Sequence, residues 1–390
     1  MFRTILVLIV LVFFESCTAK NVKNTILTGA DQPEIYLPVL KDKSVGLVVN
    51  NTSISGEKHL VDFLLENEVK VSKIFAPEHG FRGDVSAGGK IKDGIDEATG
   101  LPVFSLYGKT RKPTPEHVEG IDVMIFDIQD VGCRFYTYIS TLHLVMEACA
   151  ENNVPLIILD RPNPNGDYVA GPIREKGFES FVGMDPVPIV HGCTVGELAK
   201  MINGEGWLAD SAECELTIVP VKNYDHKTQY SLPVRPSPNL PNDLAIRLYP
   251  SLCFFEATSV SVGRGTDFPF QVLGGLKEES GAFQFTPRSI PGVAVNPLNK
   301  DQVCYGVDLR QLKNVPRFTL KFFLDFYRKY NNEEEFLTRE RWLNLLAGAD
   351  DLILQIRAGK TEEEIVNSWE PGLKEFIALR KKYLLYPDFE

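Results

Sequence analysis

The sequence predicts an α/β protein, in which a Rossmann-like domain with a parallel sheet is followed by a smaller α+β domain. Between residue 45 and about residue 220, short apolar runs alternate with segments of helical periodicity, which is typical of a parallel sheet covered by helices. Beyond residue 230, four prolines between residues 233 and 241 exclude a regular helix or a central strand. We therefore expect a Rossmann-like domain over residues 21–245 and a C-terminal auxiliary domain over residues 246–390.

Five apolar runs predict the strands of the sheet, at residues 45–49, 71–75, 123–126, 156–159 and 216–219. Between them, apolar side chains repeat with helical spacing over residues 59–65 and 142–149. The alternation of these two patterns gives the order of the elements in the first domain.

Helix starts are marked by capping residues. Thr194 and Glu197 have the spacing of a capping box, so a helix is expected to begin after Thr194. In the last third of the chain, we expect a strand at residues 303–309 and helices that begin near residues 320 and 361.

The first residues have the pattern of a secretion signal. Arg3 precedes the apolar run 5–14, which is too short to cross a bilayer comfortably. Cys17 follows this run where a lipoprotein signal places its acylated cysteine, and ordinary cleavage nearby is the alternative. We expect a signal sequence over residues 1–20 and an exported, periplasmic protein. Its contact with the membrane would be a lipid anchor at Cys17.

The charge of the chain restricts its partners. The net charge is −11 at pH 7, which argues against nucleic acid or an anionic membrane surface, because both require a basic face. An anionic ligand would have to be bound by individual arginines.

Polar side chains follow four of the predicted strands. The carboxyl ends of parallel strands lie at one edge of the sheet, so these loops would converge on one crevice, where such folds bind ligands. Ordinary surface loops are also polar, but acids, arginines and a histidine together favour a site for a sugar or an acid. Apart from the polar run 50–53, the candidates are Glu78, His79, Arg82, Asp127, Gln129, Asp130, Arg134, Tyr136, Asp160, Arg161 and Asn163.

Three further candidates lie outside these loops. Asn239 is in the proline-rich connection and Arg264 is in the glycine-flanked segment 263–267, and both would line the same crevice. His191 is two residues from Cys193, but adjacency alone does not predict a Cys–His nucleophile.

Several kinds of active site have no signature in the sequence. Segment 263–267 lacks the third glycine of a dinucleotide fingerprint, and there is no P-loop, G-x-S-x-G elbow or helical H-x-x-x-H pair. We therefore expect no cofactor and no metal. The six cysteines after Cys17 are widely spaced, which favours buried free thiols, with one or two disulfides as the alternative.

Paired carboxylates are the chemistry that the candidates support best. Cleavage of a glycosidic bond requires an acid that protonates the leaving oxygen, and usually a second charged group. Glu78 is the predicted acid, because Pro77 and Phe81 would desolvate its carboxyl group and keep it protonated. Asp127 and Asp130 are the candidate partners. A substrate carboxylate could be clamped by Arg82, Arg134, Arg161 or Arg264.

Four stretches carry a resemblance to a known family: F-A-P-E-H-G-F-R-G at 75–83, F-D-I-Q-D-V-G-C-R-F-Y-T-Y at 126–138, D-R-P-N-P at 160–164, and P-S-P-N-L-P at 236–241 with G-R-G-T at 263–266. In this order, and over nearly all of the mature chain, they resemble the NamZ-type exo-β-N-acetylmuramidases of bacterial cell-wall recycling. The resemblance implies a Rossmann-like domain, a smaller C-terminal domain and an active site in the cleft between them.

The resemblance also implies an activity. It is the release of N-acetylmuramic acid from the non-reducing end of peptidoglycan fragments, without a cofactor, and the proposed catalytic glutamate of the family matches Glu78. The lactyl carboxylate of this sugar would give the arginines a role. Its 2-acetamido group could serve as the nucleophile, with an aspartate that only orients it.

Two other functions fit the same residues. A periplasmic sugar-binding or muropeptide-binding protein is also an exported two-domain α/β protein with a polar crevice. A metal-dependent cell-wall amidase or deacetylase would use His79 and His191 as ligands. Retained binding without turnover in Glu78→Gln would favour the glycosidase, and inhibition by a chelator would favour the metal enzyme.

Overall fold

The computed structural model describes residues 25–78, 80–82 and 93–390. The predicted signal sequence at residues 1–20, with Cys17, and the candidate His79 lie outside the described residues. In the part of the chain that is described, no helix combines the length and the apolar composition needed to cross a membrane.

The described residues form fourteen β-strands and eleven α-helices. The strands are β1 (Ser44–Val49), β2 (Ile54–Ser55), β3 (Lys58–His59), β4 (Lys70–Ala76), β5 (Gly94–Ile95), β6 (Pro102–Ser105), β7 (Val123–Asp127), β8 (Leu156–Leu159), β9 (Ala170–Ile173), β10 (Pro188–Val190), β11 (Leu216–Val219), β12 (Val272–Gly275), β13 (Phe283–Phe285) and β14 (Cys304–Asp308). The helices are α1 (Pro33–Leu40), α2 (Leu60–Glu66), α3 (Pro115–Val118), α4 (Tyr138–Glu151), α5 (Val195–Gly204), α6 (Asp243–Leu252), α7 (Lys321–Tyr330), α8 (Glu333–Phe336), α9 (Glu340–Ala347), α10 (Asp351–Arg357) and α11 (Glu362–Arg380).

The large sheet of the first domain has seven strands in the order β11-β8-β7-β1-β4-β6-β5. Neighbouring strands are parallel except at the edge, where β5 is antiparallel to β6. From β1 the chain moves outward to β4 and β6, and then returns to the other side of β1 to add β7, β8 and β11. This reversal is a topological switch point beside β1, where open α/β sheets form their binding crevice. The prediction of a Rossmann-like domain is confirmed.

Alternate residues of the central strands contribute to hydrophobic clusters on opposite faces of the sheet. Every residue of β1 is buried. Val45, Leu47 and Val49 pack with α1 and α2 on one face, and Val48 packs with α4 and α5 on the other. Full burial of a Val or Leu side chain is worth about 1.5–3 kcal/mol, so a continuously apolar strand is favoured where helices cover both faces.

Most of the predicted elements are confirmed. The five apolar runs are β1, β4, β7, β8 and β11, and the later strand is β14. The backbone N–H of Glu197 donates to Thr194 Oγ1 at 3.3 Å, which caps α5. The sequence does not predict β6, β9, β10, β12 or β13, because proline, glycine or polar residues interrupt these short runs.

The second domain combines a small sheet with helices, as the α+β prediction states. Strands β12, β14 and β13 form a three-stranded antiparallel sheet. Beside it, the ring of Phe323 lies 5.4 Å from that of Phe255 and 5.1 Å from that of Phe336. This aromatic cluster is continuous with the hydrophobic cluster on one face of the large sheet. The limits of 21–245 and 246–390 for the two domains stay a prediction.

The end of the chain returns to the first domain. Arg380, at the end of α11, donates to the carbonyl oxygen of Gly192 from Nη2 at 2.7 Å and pairs with Asp388 at 2.8 Å. The hydroxyl of Tyr386 donates to Asp160 Oδ2 at 2.6 Å. These contacts connect the C-terminal segment to the loops that follow β8 and β10.

The prediction of buried free thiols is confirmed for the cysteines that the structure describes. Burial raises the pKa of Cys133 and Cys193, so neither thiol is suited to nucleophilic attack at neutral pH. The buried thiols are Cys133, Cys149, Cys193, Cys214, Cys253 and Cys304.

His143 of α4 predicts that the stability of the protein depends on pH. Its Nδ1 lies 2.8 Å from Asp185 Oδ1 and its Nε2 lies 3.2 Å from Glu147 Oε1. Burial alone would lower the pKa of His143, but the hydrogen bond to Asp185 and the charge of Glu147 outweigh burial, so the pKa is raised. This stabilisation is therefore complete below the unfolded-state pKa of about 6.5 and is lost as the pH rises through the folded-state pKa.

We expect His143→Gln to lower the free energy of unfolding by about 1–3 kcal/mol at pH 6 and by less at pH 9. Urea unfolding of wild type and variant at both pH values measures the difference. An equal loss at pH 6 and pH 9 would show that His143 stabilises the fold by packing and not by charge.

Candidate active site

A cleft of about 940 Å³ lies between the carboxyl edge of the large sheet and the second domain. Its size suits a ligand of one or two sugar rings, since ligand pockets are commonly about 300–1,000 Å³. The first domain lines it with Glu78, Tyr107, Arg111, Thr137 and Phe181, and the second domain with Tyr249, Glu256, Arg264, Trp342 and the mostly apolar loop 293–298.

Glu78 lies two residues beyond β4, half-buried, at the wall of this cleft. A tight turn presents it: the N–H of Gly80 donates to the carbonyl oxygen of Pro77 at 3.1 Å, and Gly80 has a φ of +76°, a conformation that favours glycine. Thr137 Oγ1 donates to Glu78 Oε2 at 3.2 Å.

Tyr107 lies beside the carboxyl group of Glu78 and lines the same cleft. Burial raises the pKa of Tyr107, and the nearby carboxylate of Glu78 raises it further. The phenol therefore remains protonated at neutral pH. Thr137 orients the carboxyl group through its hydrogen bond, and Tyr107 borders it.

A smaller cavity of about 70 Å³ adjoins Glu78 on the side of Tyr136 and Asn239. The Asn239 amide is oriented because Nδ2 donates to the carbonyl oxygen of Val293 at 3.1 Å. Its Oδ1 is buried and accepts no hydrogen bond from the described residues. The volume exceeds the 10–15 Å³ or so that a single water requires, so a small polar group of a ligand fits there.

Four residues that the sequence singles out are therefore brought together at these two cavities, namely Glu78, Tyr136, Asn239 and Arg264. Arg264 Nη2 lies 2.6 Å from Glu256 Oε1, and its guanidinium lies 4.9 Å from the centre of the Phe270 ring. Arg264 thus enters the cleft already paired with an acid.

Asp127 and Arg161 do not line either cavity. They form a buried bidentate ion pair, with 2.6 Å from Arg161 Nε to Asp127 Oδ1 and 2.9 Å from Nη2 to Oδ2. Arg161 Nη2 also donates to the carbonyl oxygen of Ile54 at 2.9 Å. A carboxylate held in this way is a structural group, so the placement does not support Asp127 as the second catalytic residue or Arg161 as a substrate clamp.

Asp130 and His191 are also buried away from the cleft. Asp130 Oδ2 accepts from the N–H of Gly132 at 2.6 Å, and His191 Nε2 lies 3.8 Å from the same oxygen. Burial raises the pKa of Asp130 to about 7 and lowers the pKa of His191 to about 3. Neither side chain reaches the cavities, which removes the geometric basis for Asp130 as a catalytic partner and for His191 as a ligand of substrate or metal.

Arg134 binds backbone and not substrate. Its fully buried guanidinium donates to four carbonyl oxygens at 2.5–2.9 Å. Two of them, on Pro172 and Val187, belong to the first domain, and the other two, on Leu346 and Ala347, end α9. Arg134 therefore joins the two domains behind the cleft.

Arg82 is engaged on the surface. Its Nε and Nη2 donate to the two carboxylate oxygens of Asp96 at 3.0 and 2.8 Å, and the guanidinium lies 4.5 Å from the centre of the Phe81 ring. It is absent from the described lining of both cavities. This bidentate pairing does not support its predicted role as a clamp for substrate.

The three remaining predicted residues stabilise the loops at the edge of the sheet. Gln129 Nε2 donates to the carbonyl oxygen of Pro162 at 2.7 Å, and Asn163 Nδ2 to that of Cys193 at 2.9 Å. Asp160 accepts from Thr194 Oγ1 at 2.7 Å and from the N–H of Gly196 at 2.8 Å. All three are buried, and their bonds hold neighbouring loops together.

Sequence reasoning missed Tyr107, Arg111, Thr137 and Glu256. Tyr107 and Arg111 follow β6, whose short run beginning at Pro102 has no strand pattern. Thr137 was visible between two tyrosines of a prominent motif. Glu256 comes from the second domain, and no local signal relates it to Glu78.

Among the residues that the structure describes, no group of three or more His, Cys, Asp or Glu side chains is arranged to hold a metal ion.

Comparison with known proteins gives consistent results over almost the whole chain. The family described as "Exo-beta-N-acetylmuramidase NamZ, N-terminal" matches residues 45–244, and "Exo-beta-N-acetylmuramidase NamZ, C-terminal" matches residues 247–386. The peptidoglycan beta-N-acetylmuramidase NamZ of Bacillus subtilis (strain 168) is 41% identical in an alignment of 395 positions that covers 95% of this chain and 93% of that protein.

Two crystal structures of DUF1343 family proteins from Bacteroides fragilis NCTC 9343 have the same fold. One is 46% identical with a TM-score of 0.86, and the other is 30% identical with a TM-score of 0.76. Each comparison covers 93% of this chain and 99% of the other.

The buried pair of Asp127 and Arg161 generates a stability prediction. We expect Asp127→Asn and Arg161→Met each to lower the free energy of unfolding by about 3–5 kcal/mol, because each leaves a buried charge or donor without its partner. The double variant should lose less free energy of unfolding than the sum of the losses in the two single variants. Urea unfolding of the three variants measures both effects. Loss of activity in Asp127→Asn at unchanged stability would instead indicate a catalytic role.

Proposed function

The chain belongs to the NamZ family of exo-β-N-acetylmuramidases, and on this basis we propose that it is a glycosidase that releases N-acetylmuramic acid from the non-reducing end of peptidoglycan fragments. The observation that carries the proposal is Glu78, which accepts a hydrogen bond from Thr137 at the wall of a cleft of sugar-binding size. The peptidoglycan substrate follows from the family and from the Bacillus subtilis relative.

Glu78 acts in this proposal as the general acid. A glycosidase must protonate the leaving oxygen as the glycosidic bond breaks, and Glu78 presents its carboxyl group to the cleft from a fixed orientation. Thr137 can keep the carboxyl group in place as its charge changes, because its hydroxyl can donate or accept.

The nucleophile that acts together with Glu78 is not readily explained by a carboxylate of the protein. Asp127 and Asp130 are buried outside the cavities, and Glu256 is paired with Arg264. This placement favours the 2-acetamido oxygen of the substrate as the nucleophile, a route that some glycosidases with such substrates use. The small cavity beside Glu78, with the unpaired Oδ1 of Asn239, offers space and an acceptor for the acetamido N–H.

We expect Glu78→Gln to lower kcat by about 10²- to 10⁴-fold, the usual contribution of a general acid, while binding of the sugar is retained. The measurement is release of N-acetylmuramic acid from a muramic-acid-terminated disaccharide and of nitrophenol from 4-nitrophenyl β-N-acetylmuramide. Glu119→Gln, at an exposed glutamate outside the cleft, is the matched control.

If the wild-type protein binds both compounds and turns over neither, the crevice belongs to a sugar-binding protein. Turnover of the disaccharide that survives in Glu78→Gln would assign the acid to another residue, because a sugar leaving group must be protonated.

We also propose that the chain is exported to the periplasm and attached to the membrane by a lipid at Cys17. The support is the signal pattern of residues 1–20 and the location of peptidoglycan outside the inner membrane. In bacterial cells, the wild-type protein should incorporate labelled fatty acid and sediment with membranes, and Cys17→Ser should do neither. A soluble wild-type protein cleaved at another residue would contradict the anchor.

A further inference from the structure

Arg111 lines the cleft but is not among the site residues that the sequence predicts. It lies in the segment between β6 and α3, exposed at the wall of the cleft. Its guanidinium lies 4.4 Å from the centre of the Phe181 ring, and Phe181 lines the same cleft. Stacking on an aromatic ring holds a guanidinium in place while its N–H donors remain available to a ligand.

The four arginines that the sequence predicts for the site already have partners within the protein. Arg82, Arg161 and Arg264 are each paired with a carboxylate, at 2.8, 2.6 and 2.6 Å, and Arg134 is surrounded by carbonyl oxygens. For Arg111, by contrast, no carboxylate of the described residues lies within ion-pair distance. A positive charge without an acidic partner in a ligand cleft favours an anionic group of the ligand.

The position of Tyr107 indicates that the guanidinium of Arg111 lies near Glu78. Glu78, Tyr107 and Arg111 line the same cleft, and Tyr107 and Arg111 both lie in the segment that follows β6. Tyr107 borders the carboxyl group of Glu78 and is near Arg111. A sugar bound with its glycosidic oxygen at Glu78 would therefore have its ring substituents near Arg111.

We propose that Arg111 is the residue that selects N-acetylmuramic acid over N-acetylglucosamine, by binding the carboxylate of the 3-O-lactyl group. These sugars differ only in that group, which is the one anionic substituent on the ring. A planar guanidinium can bind a carboxylate through two parallel hydrogen bonds. The inference rests on the proposed function, because it names the residue that gives the enzyme its substrate class.

Arg339 is the other residue of the cleft that could bind the lactyl carboxylate. It also lines the cleft and is exposed, but it lies in the second domain, at the start of α9 beside Trp342. We assign the selective contact to Arg111 because of its proximity to Tyr107, and Arg339→Gln serves as the comparison variant.

The experiment uses 4-nitrophenyl β-N-acetylmuramide and its methyl ester at the lactyl carboxylate, a neutral substrate of nearly the same shape. Wild type should prefer the acid. Arg111→Gln should lower kcat/KM for the acid by about 10- to 100-fold, mainly through KM, and should leave the ester nearly unchanged. Lys109→Gln, at an exposed cation two residues away and outside the cleft lining, should behave as wild type.

Two outcomes overturn the inference. In the first, Arg111→Gln still prefers the acid substrate over its ester, or Arg339→Gln loses this preference instead. The other is an equal loss on both substrates, which would indicate that Arg111 only shapes the cleft. Thermal unfolding of each variant checks that the fold is intact.

A binding measurement separates failure of this inference from failure of the proposed function. If wild type hydrolyses neither substrate, the hydrolase proposal fails. Calorimetry with free N-acetylmuramic acid and N-acetylglucosamine then still tests Arg111. Arg111→Gln should lose affinity for the first sugar and not for the second, and an unchanged ratio of affinities contradicts the assignment.

Discussion

A buried ion pair connects the loops at the carboxyl edge of the large sheet. Arg161, beyond β8, binds both carboxylate oxygens of Asp127, at the end of β7, and donates to the carbonyl oxygen of Ile54, beyond β1. The guanidinium of Arg161 thereby connects three segments that are far apart in sequence. A buried charge that loses its partner costs several kcal/mol, so the folded chain strongly favours this arrangement. The loop after β7 leads into α4 and carries Thr137 to its position beside Glu78.

A second buried arginine fixes the other wall of the cleft. Arg134 receives no carboxylate partner among the described residues and instead donates to carbonyl oxygens of both domains, including Leu346 and Ala347 at the end of α9. The C-terminal end of a helix carries partial negative charge, which favours a cation there. Since Trp342 of α9 lines the cleft, the position of that wall depends on Arg134.

The molecule thus divides its charged residues between two tasks. Fully buried charges, such as Asp127 and Arg161, hold loops and domains together. The half-buried or exposed charges, Glu78 and Arg111, face the cleft and are available to a ligand. Burial separates the two groups, since a group that is sealed from solvent by the folded chain cannot meet a substrate without local unfolding. This division explains why a cluster of conspicuous polar motifs supplies only part of the site.

The sequence by itself determined the parallel sheet, the common edge at which its loops meet and the position of Glu78 in that edge. These features follow from local patterns: apolar runs form buried strands, and a glycine such as Gly80 favours a tight turn after the strand. Only the tertiary structure decided that Asp127 is paired with Arg161 and that Arg111 stays accessible beside the site. Pairing depends on which side chains meet across long sequence separations, and a single sequence carries no local signal for such contacts. Similar polar motifs therefore contain both a buried structural pair, Asp127 and Arg161, and a residue that faces the cleft, Glu78, and only packing distinguishes them.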